Sequence, residues 1–169
     1  PWQDQQAYLA ACREADRNLV CGAMEFVPDD AVAEALANNL VHPWVMVSKG
    51  DKWRACFGAH EGVNRVAHSA PFGLPTVWDV PAVLKPGSHF AKFDLRDGFW
   101  AVPVEAESRQ RLLLRHPATG RLMWASRLPF GYKDSPRRFA MLTEAVAGLF
   151  RKRMAGRGVH IFVYIDDFL

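Results

Sequence analysis

The chain is 169 residues long, 50% hydrophobic and 12% aromatic, with a formal net charge of +3. Its three cysteines, Cys12, Cys21 and Cys56, lack CxxC or metal-ligand spacing and suit small buried thiols in a reducing, intracellular compartment. No stretch resembles a signal peptide, and no apolar run approaches the roughly 18 residues of a membrane span, so no membrane partner is expected. The charge is lopsided. Residues 1–84 carry 6 Lys/Arg against 10 Asp/Glu, residues 85–157 carry 15 against 6, and the last twelve add a net −2. A basic block beside an acidic strand suits a polyanion partner near a carboxylate site; a solvated basic face is the alternative from charge alone.

In chain order, residues 4–17 and 29–40 read as helices. Asp29 and Asp30 are candidate N-caps, and Ala31, Val32, Ala35 and Leu36 recur at helical spacing. Pro43 ends that stretch. The segment WVMVSKGDKWRACF predicts a β-hairpin, Trp44–Val47 returning as Lys52–Phe57 through a turn at Lys49, Gly50 and Asp51. Residues 58–88 are rich in Gly, Pro and His and read as loop, with one helical turn near Thr76–Val80.

From His89 the pattern sharpens. HFAKFDL reads as an apolar strand ending on Asp94, and FWAVPV continues extended or as a turn. RQRLLLRHPATGRLMWASRL predicts a second hairpin turning at Pro117–Gly120. DSPRRFAMLTEAVAGLFRKRMAG predicts the longest helix, capped by Asp134 or Ser135, with Pro136 in its first turn. Its apolar stripe is Phe139, Leu142, Val146, Leu149 and Phe150, and Gly156 stops it. VHIFVYI predicts a buried final strand that runs into Asp166 and Asp167.

Two adjacent carboxylates at the end of a core strand need compensation, because buried charge is costly. Asp94 ends another strand. Neighbouring strands of one sheet would bring the three carboxylates together, where they would repel unless protonated or bound to cations. Oxygen-only ligands suit Mg²⁺ or Mn²⁺. Two such ions about 4 Å apart activate an attacking hydroxyl and stabilise a leaving oxygen in phosphoryl transfer. For Asp94 taken alone, a turn residue or helix cap is an equal alternative.

Four segments in order carry a resemblance: VMVSKGDKWRACF (45–57), FAKFDLRDGFWAVPV (90–104), LPFGYKDSPRRF (128–139) and YIDD (164–167). Together they resemble the fingers hairpin and the three palm motifs of retroelement reverse transcriptases, over roughly residues 45–169. The resemblance implies an α+β, right-hand polymerase fold of fingers and palm, with an antiparallel palm sheet packed on helices and truncated before the thumb. It divides the chain into an N-terminal helical extension (1–43), a fingers-like hairpin with loops (44–88) and an incomplete palm (89–169).

It also implies roles. Asp94 and Asp166 would bind two Mg²⁺ or Mn²⁺ ions, Asp167 would assist, and the Leu95 carbonyl would help hold the nucleotide-side ion. Phe99 would lie under the sugar and crowd a 2′-hydroxyl, selecting deoxynucleotides; a core-packing ring is the alternative. Lys49 and Arg54 would clamp the triphosphate. Gly50 and Gly131 would admit close backbone approach, Phe130 would pack beside the nucleotide, and Tyr164 would lie against the primer end. Lys133 and Arg137 would touch template or phosphate, with Arg111 and Arg115 weaker candidates; solvated helix residues are the alternative.

The departures are local. The family follows its fingers hairpin with Asp-Tyr/Phe-Arg-x-Leu-Asn, whereas here GAHEGVN (58–64) has an extra residue and keeps only a counterpart for the Asn, Asn64. The variants RDGFW and GYKDSP are unusual for the commonest long-terminal-repeat elements and resemble tyrosine-recombinase-type (DIRS-like) elements, with a Ty3/gypsy-like element as the alternative for the chain as a whole. The YIDD box belongs at a hairpin turn, so the return strand, a later lysine-bearing motif, the primer grip, the thumb and any RNase H are expected to lie outside the chain, in a larger polyprotein with an integrase or recombinase; a truncated gene is the alternative. The function implied is RNA-directed DNA polymerisation, with dNTPs and a primer on an RNA or DNA template as partners and weak or no activity in isolation. The alternatives are an RNA-templated RNA polymerase palm, against which Phe99 argues, and an inactive remnant that at most binds nucleic acid.

Overall fold

The structure is a computed structural model that describes residues 4–50 and 52–169, without the side chains of Asn38, Lys49 and Lys52. In order the elements are α1 (Gln5–Val20), β1 (Met24–Phe26), α2 (Val32–Asn38), β2 (Val41–His42), β3 (Trp44–Lys49), β4 (Lys52–Phe57), α3 (Val63–Val66), β5 (Phe93–Asp94), α4 (Ala106–Arg109), β6 (Leu113–Arg115), β7 (Leu122–Ala125), α5 (Ser135–Arg153), β8 (Val163–Tyr164) and β9 (Asp167–Phe168). This is the expected mixed α+β class. The chain packs as two compact units. Among the described residues, one comprises 4–50, 52–68 and 99–135, the other 69–98 and 136–169.

In the first unit, α1 starts where Asp4 accepts from the backbone N–H groups of Gln6 and Ala7, at 2.6 and 3.0 Å. Its Ala7, Ala11 and Ala15 are buried at helical spacing. Small side chains there let the helix approach a four-stranded sheet of order β1-β7-β6-β2. All pairs in that sheet are antiparallel except β2–β6, which is parallel. Met24, Phe57, Leu112, Leu114, Met123 and Ala125 form its main core. The β3–β4 hairpin pairs antiparallel from Trp44↔Phe57 to Lys49↔Lys52, as predicted; of its turn, Asp51 lies outside the described residues. The expected caps of the second helix are not caps. Asp29 and Asp30 lie inside a 3₁₀ turn without side-chain capping bonds, and Ala31 flanks α2.

The second unit is built from α5 and a small antiparallel sheet of order β5-β9-β8. Ala147, Val163 and Phe168 form its core, with Val146 and Ile161 against it. Three sequence expectations change here. HFAKFDL contributes only the two residues of β5 to the sheet, and Phe90 and Phe93 are exposed, because β5 is an edge with β9 on one side only. The final strand is half-buried by alternation: Val163 is buried and Tyr164 is exposed. A return strand is present, since β9 pairs with both β8 and β5, and Phe162 and Leu169 exchange backbone bonds at 2.8 and 2.9 Å.

Helix α5 is also rotated from the expected stripe. Phe139, Ala140, Thr143 and Ala147 are buried, whereas Leu142, Leu149 and Phe150 are exposed. Phe139 and the partly buried Val146 belong to the expected stripe, and around them the buried face uses the small residues Ala140, Thr143 and Ala147, which allow closer packing than Leu would. A Cβ on Gly98 would sit 2.4 Å from the Phe139 ring, so that glycine is a packing requirement. Ser135 is the first helical residue, and its hydroxyl donates to the Pro129 carbonyl at 2.9 Å. Among the described residues, no helix is long and apolar enough to cross a membrane.

The rotation has a measurable consequence. In urea unfolding, Phe139→Ala should cost about 3–5 kcal/mol, and Leu149→Gln less than about 0.5 kcal/mol. Comparable losses at both positions would mean that the sequence-predicted stripe is the buried one.

Candidate active site

The second unit holds the three carboxylates. Asp94 on β5 and Asp167 on β9 are Cα partners in antiparallel register, and Asp167 is also the partner of Tyr164 on β8. Directly opposed residues project on the same face, so Asp94, Asp167 and Tyr164 share one side of the sheet. Asp166 occupies the turn between β8 and β9, and its carbonyl accepts from the Leu95 N–H at 2.9 Å. That bond extends the ladder one residue past Asp94 and ties the FAKFDL and YIDD segments together. The site is less buried than the sequence suggests. Asp94 and Asp166 are exposed and Asp167 is partly so.

The turn is strained. Ile165, at its first central position, has φ +59°, which a β-branched residue rarely adopts. Positive φ at that position alone is the type II′ pattern, which ordinarily takes glycine. The hydrogen-bonded strands on either side hold it there.

Like charges directly opposed across a sheet repel. Lys92 supplies a cation: its Nζ lies 3.0 Å from Asp167 Oδ1, a charge contact whose angles fall outside those of a hydrogen bond. The sequence offered no signal for Lys92 beyond its place two residues before Asp94. Among the described residues, no group of three or more His, Cys, Asp or Glu side chains is gathered to hold a metal ion. Carboxylate oxygen is nonetheless the donor type that a hard divalent cation takes.

The first unit holds the other candidates. Phe99 stacks on Phe130, with centroids 4.7 Å apart and planes at 29°, and Trp100 meets Phe130 edge-on at 5.7 Å. Phe99 is therefore part of an aromatic cluster, and Phe130 keeps 39% of its surface exposed. The Phe130 carbonyl accepts from the Phe57 N–H at 2.8 Å, joining the LPFG turn to β4. Asn64 clamps the same turn: its amide donates to the Gly131 carbonyl at 2.8 Å and accepts from the Lys133 N–H at 2.9 Å. Asn64 thus has a defined structural task despite the altered GAHEGVN segment. Gly131 has φ +111°, and a Cβ there would lie 2.0 Å from the Phe57 carbonyl oxygen. The close approach it permits is to the protein's own backbone.

Arg54 is exposed on β4, and the side chain of Lys49 lies outside the described residues. Next to Arg54, burial pushes the Cys56 thiol above its ordinary pKa, partly offset by the guanidinium. At the base of the hairpin, burial pulls His42 below its usual value, against hydrogen bonding to the Arg111 and Gly58 backbone. Gly50 has φ +60° and open space around it. Lys133 is exposed; Arg137 is partly buried and donates to Met141 Sδ at 3.3 Å. Arg111 is exposed, and Arg115 donates to the Gly120 carbonyl and lines a cleft of about 790 Å³ with Trp44, Trp53 and Met46.

The small antiparallel β5-β9-β8 sheet packed on α5 has the arrangement of a palm fold. Residues 63–169 match the family described as reverse transcriptase (RNA-dependent DNA polymerase), and the chain belongs to that family. The chain is 26% identical to the enzymatic polyprotein of figwort mosaic virus (strain DxS) over 114 residues, 65% of this chain and 15% of that protein. Against the enzymatic polyprotein of cauliflower mosaic virus (strain Strasbourg) it is 27% identical over 110 residues, again 65% and 15%. Polyprotein P3 of Commelina yellow mottle virus is 29% identical over 129 residues, 76% of this chain and 6% of that one. The chain therefore spans about 15% of the length of the first two relatives. In fold it is similar to a foamy viral protease–reverse transcriptase in complex with double-stranded DNA, with a TM-score of 0.72 and 24% identity over 98% of this chain and 26% of the other.

The Gly131 geometry is directly testable. Gly131→Ala combines a positive φ with a backbone clash, and should destabilise the protein by about 1–3 kcal/mol in thermal or urea unfolding. Gly50→Ala, strained in φ alone, should cost less. A neutral Gly131→Ala would refute the close Phe57 approach.

Proposed function

We propose that the chain is the fingers-and-palm portion of an RNA-directed DNA polymerase of a retroelement, acting within a longer polyprotein. The observation that carries this reading is the register that sets Asp94 opposite Asp167, with Asp166 at the intervening turn. Asp94 and Asp166 are proposed to hold two Mg²⁺ or Mn²⁺ ions, assisted by Asp167 and by the Leu95 carbonyl. Bound divalent ions would supply activation of a primer 3′-hydroxyl and neutralisation of charge on the leaving pyrophosphate. Two exposed carboxylates at a solvent-facing sheet corner suit that task, since hydrated ions and a phosphate must both reach them.

The remaining roles concern binding and orientation. Lys49 and Arg54 are proposed to hold the triphosphate, the first as a point charge and the second as a fork. Phe99, braced by its stack on Phe130, is proposed as the ring that excludes a 2′-hydroxyl; a stacked ring yields less than a free one, which favours steric exclusion. Gly131 and Asn64 keep the LPFG turn in place beside it. Tyr164, 55% exposed on the same face as Asp94 and Asp167, is proposed to contact the primer end. Lys133 and Arg137 are proposed to meet template or primer phosphates, a sequence-independent contact. The double-stranded DNA in the foamy viral relative supports a nucleic-acid partner.

The decisive test is primer extension on an RNA template by a polypeptide expressed from the native reading frame that contains this chain. Asp94→Asn and Asp166→Asn should each lower the extension rate on the order of 10²-fold or more. Undiminished extension in both variants would refute the carboxylate assignment. In the same assay Phe99→Val should raise ribonucleotide incorporation relative to deoxynucleotide by at least about tenfold, roughly 1.4 kcal/mol of lost discrimination. An unchanged ratio would return Phe99 to a purely packing role.

A further inference from the structure

Asp166 is exposed at the turn and Asp167 is partly buried on β9, and a cation stands beside the second. Lys92 stands two residues before Asp94, so in extended chain the two project to the same side. Across the sheet, Asp94 is opposed by Asp167. The Lys92 ammonium reaches that Asp167 carboxylate at 3.0 Å, with the lysine side chain 63% and the aspartate side chain 36% exposed. Among the described residues, this contact reaches the carboxylate on β9 rather than the one at the turn.

We propose that Lys92 is a positioning residue, a tethered counter-cation that holds Asp167 and competes with divalent metal for it. The proposal rests on the polymerase reading of the carboxylates. It has two physical parts. First, Lys92 relieves the repulsion between Asp94 and Asp167 when no metal is bound, so the sheet corner is stable before substrate arrives. Second, it withholds one carboxylate from the ions, leaving Asp94 and Asp166 as the principal ligand pair and setting metal affinity below what three free carboxylates would give. Arg96, the next cation along the chain, pairs instead with Asp97 at 3.5 Å, so Lys92 is the basic residue of this segment engaged with the carboxylate group.

The test is calorimetric titration of Mn²⁺ into the protein without nucleic acid, for the wild type, Lys92→Gln, Asp167→Asn and the double variant, with Asp94→Asn marking the site. Lys92→Gln should bind Mn²⁺ about two- to five-fold more tightly, the range of an exposed ion pair converted to affinity. That gain should vanish in the Asp167→Asn background, as coupled partners require. Lys92→Arg, which keeps the charge, should bind as the wild type does. Asp94-dependent binding with no effect of Lys92→Gln would overturn the proposal and leave the polymerase reading intact. A gain that persists without Asp167 would also overturn it, reducing Lys92 to a general repulsive charge. Binding that is absent, or indifferent to Asp94→Asn, would remove the metal-site reading and this proposal with it.

Discussion

The constraint on which the second unit turns is the antiparallel apposition of Asp94 and Asp167. Backbone hydrogen bonding, indifferent to side-chain charge, places two carboxylates on one face of a sheet only a few residues wide. A third stands at the adjoining turn, where Ile165 accepts a backbone conformation suited to glycine. Each feature costs stability, through repulsion in one case and strain in the other. The packing of Ala147, Val163 and Phe168 beneath the sheet offsets them. A fold selected for stability alone would have hydrophobic or paired residues at these positions, and the departures concentrate where charge has to be handled.

The first unit shows a different strategy. Its nucleotide-side candidates are held by backbone and amide groups rather than by charges. Phe57 bonds to Phe130, Asn64 spans Gly131 and Lys133, and Gly131 lies against a carbonyl that no larger residue would tolerate. Rigid placement of a ring and a turn suits discrimination by shape, since a soft pocket would yield to an extra hydroxyl. The stack of Phe99 on Phe130 extends the same logic to the ring proposed to read the sugar.

Much of this was legible in the residues. The β3–β4 and β6–β7 hairpins, α1 and α5 all follow from periodicity and turn chemistry. The three carboxylates and the LPFG turn stood out because such residues are out of place in ordinary strands and loops. The errors have identifiable causes. HFAKFDL has the composition of a buried strand but lies at a sheet edge, which composition does not encode. Leu142, Leu149 and Phe150 of α5 have the size and spacing of a buried face but stay exposed, whereas Phe139, as expected, packs together with Thr143 and Ala147. Lys92 and Phe57 were invisible as site residues, because one acts through a cross-strand partner and the other through its backbone.

What the sequence determined by itself was the inventory: which residues carry charge, where the chain turns, which segments alternate or repeat at helical spacing, and hence the family. Tertiary structure decided the rest. It set Asp94 opposite Asp167 rather than Asp166, matched Lys92 to that carboxylate, and turned Gly131 toward Phe57. The physical reason is that local spacing is written in covalent neighbours, whereas register, edge position and charge partners depend on residues tens of positions apart, brought together only when the hydrogen-bond ladders and cores form.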